Sequence, residues 1–241
     1  MTKSKMYENV KTWNPFVGCK HDCVYCKPSF QRQAKRRKKW CELCYNFEPH
    51  FHPERLERVP NAKTIFACAY GDIVFARSHE IEQIFKVVGK HKNKTFLFQS
   101  KDPECFGLYL IEGLVPENVI LGTTIETNYS EEYEEISQAP PPYERYEFMY
   151  ELRVLYNART FVTIEPILEF NLNVMVDWIK DIQPEFIYIG YDNHNCKLPE
   201  PPLEKTLKLI EELEKFTEVR LKTIRKAWWE NDMANLSNLW K

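Results

Sequence analysis

Cys19, Cys23 and Cys26 fall within one short run, Cys19-Lys20-His21-Asp22-Cys23-Val24-Tyr25-Cys26. A gap of two residues lets neighbouring thiolates converge on one metal centre, and a gap of three lets the loop curl so that a third joins them. Three thiolates suit a cubane iron–sulfur cluster, whose remaining iron then has no protein ligand and is open to chemistry. Zinc is the competing reading. Cys23-x2-Cys26-x14-Cys41-x2-Cys44 is a zinc-ribbon spacing that leaves Cys19 spare. Cys41, Cys44, His50 and His52 make a second zinc set, which leaves the first three cysteines to a cluster.

The elements that must hold these residues can be read from apolar periodicity. Thr12 to Gly18 is extended by composition and runs straight into the cysteine loop. Continuous apolar stretches follow at Thr64 to Tyr70, Thr95 to Ser100, Val119 to Ile125, Thr160 to Ile164 and Phe186 to Ile189, with a short one at Val219 to Leu221. Between them lie helical patterns: Ile81, Ile84, Phe85 and Val88 with Ser78 placed to cap them; Arg145 to Tyr156; Leu172, Met175, Val176 and Ile179; and Leu203, Leu207, Ile210 and Leu213. Strands apolar on both faces, alternating with amphipathic helices, predict an α/β fold with a parallel sheet under helices. About six such units are too few for a closed eight-fold barrel. One domain over residues 1–241 is expected, with a Cys/His-containing insert at about 41–59.

Parallel α/β proteins bind ligands at the carboxyl ends of their strands. The polar residues expected there are Asp72, Ser100, Lys101, Glu126 and Glu165, and Gly71, Gly122 and Gly190 lie within or just past strand runs, where glycine permits close backbone approach. Neither a dinucleotide fingerprint nor a phosphate-binding loop is present.

Composition sets the outer limits. The 241 residues are 44% hydrophobic and 28% charged, which suits a globular protein with a core. A formal net charge of −2 excludes a uniformly basic surface, so any nucleic-acid contact must come from a local patch. One such patch exists: Arg32, Lys35, Arg36, Arg37, Lys38 and Lys39 follow the cysteine loop on a segment, Ser29 to Trp40, that favours helix, flanked by Phe30 and Trp40. It could grip phosphates while an aromatic stacks a base, or be a solvated helix face. Met1 to Lys11 is polar and lacks a signal-peptide pattern, and no apolar run has membrane-spanning length. Eight cysteines in such a chain are expected as metal ligands or buried thiols in a reducing cytoplasm.

A strand leading into C-x3-C-x2-C, with the aromatic Tyr25 before the third cysteine, resembles the signature of radical S-adenosylmethionine (SAM) enzymes. The ordered set Thr12-Trp13-Asn14-Pro15, His52-Pro53-Glu54-Arg55-Leu56, Phe66 to Asp72, Asn118 to Glu126 and Thr163-Ile164-Glu165-Pro166 resembles short three-cysteine radical SAM proteins of phages and prokaryotes, long known as a domain of unknown function. The resemblance implies a partial (β/α)6, TIM-like barrel. It implies a [4Fe-4S] cluster on Cys19, Cys23 and Cys26, SAM as second cofactor, and an electron donor such as a ferredoxin or flavodoxin. Reductive cleavage of SAM would give a 5′-deoxyadenosyl radical that modifies or repairs a substrate. Tyr25 would pack near the adenine, Asp72 would accept from the SAM amino group and Glu126 from the ribose. Ser100, Lys101 and Glu165 would contact SAM or substrate, and Gly190 would border the pocket. Cys68 and Cys105 are hydrogen donors on chemical grounds alone, against the commoner role of small buried hydrophobes. Tyr188-Ile189-Gly190-Tyr191-Asp192 departs from the Gly-Gly-Glu-Ser run of many members, and the cysteine loop is tighter. The basic run places nucleic acid first as substrate and a peptide second. The reading from a different class is a non-enzymatic zinc-ribbon protein that binds nucleic acid.

Overall fold

Alternation along the strands sorts their side chains onto two faces of one sheet, and the two faces do different work. The computed structural model describes residues 10–230, so most of the polar N-terminal stretch and the final residues with Trp240 lie outside it. Among the described residues, seven parallel strands form the sheet: β1 (Val10–Trp13), β4 (Thr64–Ala67), β5 (Thr95–Gln99), β6 (Val119–Thr124), β7 (Thr160–Ile164), β8 (Phe186–Ile189) and β9 (Glu218–Leu221), in that spatial order. The sheet curls into a half-barrel. The expected count of about six units gains the short edge strand β9, paired in parallel with β8.

The outer face carries the main core. Phe96, Phe98, Leu121, Val162 and Ile164 pack with Ile84 and Phe85 of α3 (Ser78–Lys90), Met149 and Leu152 of α5 (Pro142–Tyr156), Met175 and Ile179 of α6 (Leu172–Ile182) and Leu209 of α7 (Leu203–Leu213). The inner face holds a smaller plug of Leu97, Ile120, Phe161, Phe186 and Tyr188, with Phe66 against it. Gly122 makes the plug fit: a Cβ there would lie 2.3 Å from the Phe161 ring. One step further along each strand the inner positions turn polar. Gln99 donates to Thr124 and accepts from Thr163, each at 2.8 Å. The half-barrel is therefore greasy at its floor and polar at its carboxyl mouth.

The insert is fastened to that mouth. The two-residue strands β2 (Phe16–Val17) and β3 (His50–Phe51) pair antiparallel, while Leu56 and Val59 pack on the main core. A short helix, α2 (Glu42–Asn46), precedes β3. The basic segment is not one helix. It is a π turn at Lys27–Gln31, a single α turn, α1 (Arg32–Ala34), and a tighter turn at Lys35–Arg37. Cations three and four positions apart repel on a regular helix, and Arg32, Lys35, Arg36 and Lys39 stand at those spacings. The cap of α3 also differs from expectation. Arg77 is the N-cap, its N–H donating to Glu80 at 2.9 Å, and Ser78 is already in the helix. No helix of the described residues is long and apolar enough to cross a membrane.

Candidate functional site

Two glycines admit the cysteine loop to the barrel mouth. Gly18 sits at φ 92°, and a Cβ on it would come within 2.2 Å of the Glu48 carbonyl oxygen. Gly71 bridges to it, and a Cβ there would lie 2.6 Å from the Gly18 oxygen. The Gly18 N–H donates to Tyr70 O at 3.0 Å and the Asp72 N–H to Gly18 O at 3.1 Å, locking the loop against the end of β4. Beyond it, Cys19, Cys23 and Cys26 all line one cavity of about 180 Å³. Tyr25, Phe66, Gln99, Lys101, Thr124, Thr163, Glu165 and Lys222 line the same cavity. The polar strand ends thus meet the thiols in one space.

The thiols are not built as free nucleophiles. Burial pushes Cys26 up to about 12, with the neighbouring Cys23 adding to it, and burial followed by the Asp72 charge raises Cys19 further. A reactive cysteine needs the opposite setting, a lowered pKa beside a cation. Cys23 is buried and Cys19 and Cys26 are half-buried around the same cavity, and a metal bound there would take the charge of their thiolates. The donor set therefore fits an iron–sulfur cluster with one open iron.

The sequence-predicted strand-end residues divide into those that line the cavity and those that support it. Asp72 borders the cavity, but its carboxylate is already engaged. It accepts from Ser100 Oγ (2.6 Å), the Lys101 N–H (2.8 Å) and the Val74 N–H (3.2 Å), and His21 Nε2 lies 3.2 Å away. Burial would raise its pKa, but the bonds from His21 and Ser100 outweigh that and hold it below the usual carboxylate range. Ser100 is buried and acts through Asp72. Glu126 is fully buried behind the wall and accepts from Tyr25, Lys101 and Tyr133 on one oxygen and from Arg145 at 2.8 Å on the other. Burial pushes it up, yet Arg145 and Lys101 hold it at about 2. Its carboxylate does not line the cavity and holds Tyr25 and Lys101, which do. Glu165 pairs with Lys222 on the cavity wall. Burial lowers Lys222 to about 8, while the Glu165 carboxylate in contact with it acts in the opposite direction by favouring the ammonium. Gly190 borders this pair: a Cβ there would lie 2.9 Å from Lys222 Cβ and 3.2 Å from Glu165 Oε1. Cys68 and Cys105 pack with the core, their thiols raised by burial, and neither lines the cavity.

The sequence reading missed His21, Lys222 and Arg145. Lys222 is the first residue past β9, a strand end of the kind that also presents Lys101. His21 lies inside the motif, where only the cysteines carry a ligand spacing. Arg145 carried no signal, since a lone arginine in a helix reads as solvated.

The basic run borders a second cavity, of about 310 Å³, lined by Gln33, Arg36, Arg37 and Trp40 on one side and by Asn14, Arg55 and Tyr70 on the other. Phe47 lines both cavities, so they adjoin. Lys35 and Lys38 lie over the Tyr45 ring, at 4.4 and 5.5 Å from its centre. Arg32 and Lys39 are exposed. Cys41 and Cys44 do not join Cys23 and Cys26 as a ribbon would require. They gather with His50 and His52, and the four ligand atoms lie within 4.8 Å of one another.

Among solved structures, this fold is similar to a mutant spore photoproduct lyase with bound AdoMet and dinucleoside spore photoproduct (TM-score 0.55, 11% identity, covering 85% of this chain and 61% of that one). It is also similar to Streptococcus suis SuiB bound to precursor peptide SuiA (TM-score 0.55, 10% identity, 95% and 51%) and to SuiB bound to S-adenosylmethionine (TM-score 0.53, 10% identity, 89% and 46%). The chain thus spans between 46% and 61% of the length of these neighbours. What they share with it is the fold, a partial TIM-like barrel. No curated protein matches the sequence. The model of one family, described as "Protein of unknown function (DUF5131)", matches residues 3–181. With most of its length covered by that match, the chain belongs to the DUF5131 family.

Proposed function

We propose that this protein is a radical SAM enzyme that modifies or repairs nucleic acid. The observation that carries the reading is the convergence of Cys19, Cys23 and Cys26 on one cavity at the carboxyl mouth of the half-barrel. When bound there, the cluster and SAM supply a 5′-deoxyadenosyl radical for hydrogen abstraction, drawing an electron from a ferredoxin- or flavodoxin-like donor. The chain's own residues orient and enclose. Tyr25, held by Glu126, presents its ring to the cavity where an adenine would stack. Lys222 and Glu165 offer opposite charges to the zwitterionic methionine end of SAM. Phe30, Phe47 and Phe66 keep water from the reacting centre.

The adjoining cavity supports the substrate. Arg36 and Arg37 beside Trp40 present forked donors for phosphates next to an aromatic face for a base. Of the two neighbours, one holds a dinucleoside and the other a precursor peptide. The cationic, aromatic lining favours the nucleic acid.

The test is anaerobic reconstitution followed by reduction with SAM. About four irons and four sulfides per chain and release of 5′-deoxyadenosine are expected. A colourless protein that leaves SAM intact would defeat the enzyme reading. Active protein that fails to bind DNA or RNA at low salt would move the substrate to peptides.

A further inference from the structure

We infer that Cys41, Cys44, His50 and His52 form a structural zinc site whose task is to hold the wall of the cysteine-loop cavity. The spacing of the four ligand atoms, all within 4.8 Å of one another, fits a tetrahedron around one ion. Cys44 Sγ lies 3.3 Å from His50 Nε2 and 3.2 Å from His52 Nε2, and Cys41 Sγ lies 3.4 Å from His50 Nε2. Bond lengths of about 2.3 Å to sulfur and 2.0 Å to nitrogen at tetrahedral angles put neighbouring S and N ligands about 3.5 Å apart.

The tautomers are settled by the outer partners. His50 Nδ1 lies 2.6 Å from the Glu48 carbonyl oxygen, which can only accept, so Nδ1 carries the proton. His52 Nδ1 likewise donates to the Glu54 carboxylate at 2.8 Å. In each neutral imidazole Nε2 then presents a lone pair toward the two sulfurs. This is the arrangement by which outer hydrogen bonds aim histidine ligands at a metal. Arg55 Nη2 lies 4.0 Å from Cys44 Sγ, a cation placed to offset thiolate charge. Four protein ligands leave no open position, so the site is structural.

What it holds is visible in the connections of these ligands. His50 lies in β3 opposite Val17, and the His52 N–H donates to Pro15 O at 2.7 Å. Between the two ligand pairs the chain turns at Phe47 (φ 61°), whose carbonyl accepts from the Cys19 N–H at 3.3 Å. Arg55 donates to Asn14 O at 2.8 Å. Zinc would thus close a ring of contacts around Cys19, Gly18 and Phe47.

Metal analysis of anaerobically purified protein tests this independently of the radical SAM reading. About one tightly held zinc per chain is expected in the wild type. The same zinc is expected in a Cys19→Ala/Cys23→Ala/Cys26→Ala variant that holds no iron. Cys41→Ser/Cys44→Ser should lose the zinc, and its iron content should fall with it. Should that variant not fold, cobalt(II) replaces zinc in the wild type. Intense tetrahedral d–d bands with thiolate charge transfer are expected, with the charge transfer strengthened in His50→Cys. Absence of zinc, zinc that disappears with the three loop cysteines instead, or a weak six-coordinate cobalt spectrum would each overturn the assignment.

Discussion

His21 Nε2 lies 3.2 Å from Asp72 Oδ2, and both side chains are buried, so the cysteine loop is fastened to the segment that follows β4. Asp72 also gathers Ser100 and the backbone of Lys101 from the end of β5. Three segments distant in sequence meet on one carboxylate. Asp72→Asn removes the charge and one acceptor from this hub, and a buried donor left unpaired costs about 1–3 kcal/mol. Urea unfolding should show that loss, and reconstituted protein should retain less iron than the wild type. A variant with unchanged stability and full iron would show that the hub does not position the loop.

Glu126→Gln tests the second hub. Arg145 and Lys101 lose their counter-charge in a buried setting, for which about 3–5 kcal/mol is the expected cost. Because the folded carboxyl is held near 2 against an ordinary value of 4.5, its contribution is complete above 4.5 and disappears as pH falls toward 2. The stability gap between wild type and variant should therefore be widest near neutrality and close on acidification. A gap independent of pH would assign the effect to packing.

Gly18→Ala places a Cβ 2.2 Å from the Glu48 oxygen at a φ of 92°, a contact that only backbone movement relieves. Gly107, the first residue of the short helix α4 (Gly107–Ile111), is the control, with nothing beyond its own helix and neighbours within 4 Å of its Cβ position. Thermal unfolding should show Gly18→Ala losing about 2 kcal/mol or more, with reduced iron. Gly107→Ala should stay within about 1 kcal/mol of wild type, since alanine favours helix.

Arg36→Ala/Arg37→Ala addresses the cavity beside the cluster. If both arginines contact phosphates, the slope of log affinity against log salt should fall by about 1.4 for a single strand. Lys38→Ala should change it less, because Lys38 lies over Tyr45. An unchanged slope for the double variant would return the basic run to the solvated surface.

Cys68→Ala separates ligand from filler. Cys68 is buried away from the cavity, so the variant should keep its full iron content and lose at most about 1.5 kcal/mol by urea unfolding. Iron loss comparable with that of Cys23→Ala would make Cys68 part of the centre.

The βα order, the parallel sheet and the placement of the cysteine loop after the first strand were legible in the sequence alone, because apolar alternation and ligand spacing are local. Cys41, Cys44, His50 and His52 were legible for the same reason: all four lie within a dozen residues. The polar strand ends could be picked out by position, yet their roles could not. Glu126 reads as a free carboxylate until Tyr25, a hundred and one positions earlier, and Arg145, nineteen later, close on it. Ser100 reads as a ligand contact until its hydroxyl is found on Asp72. The basic segment departs from the regular helix its propensities predict, since propensity counts residues singly while repulsion acts between them. Sequence periodicity determines which way a strand's side chains alternate. Which carboxylates remain free at the barrel mouth depends on the curl of the sheet and on partners a hundred residues apart, and only the tertiary structure decided that.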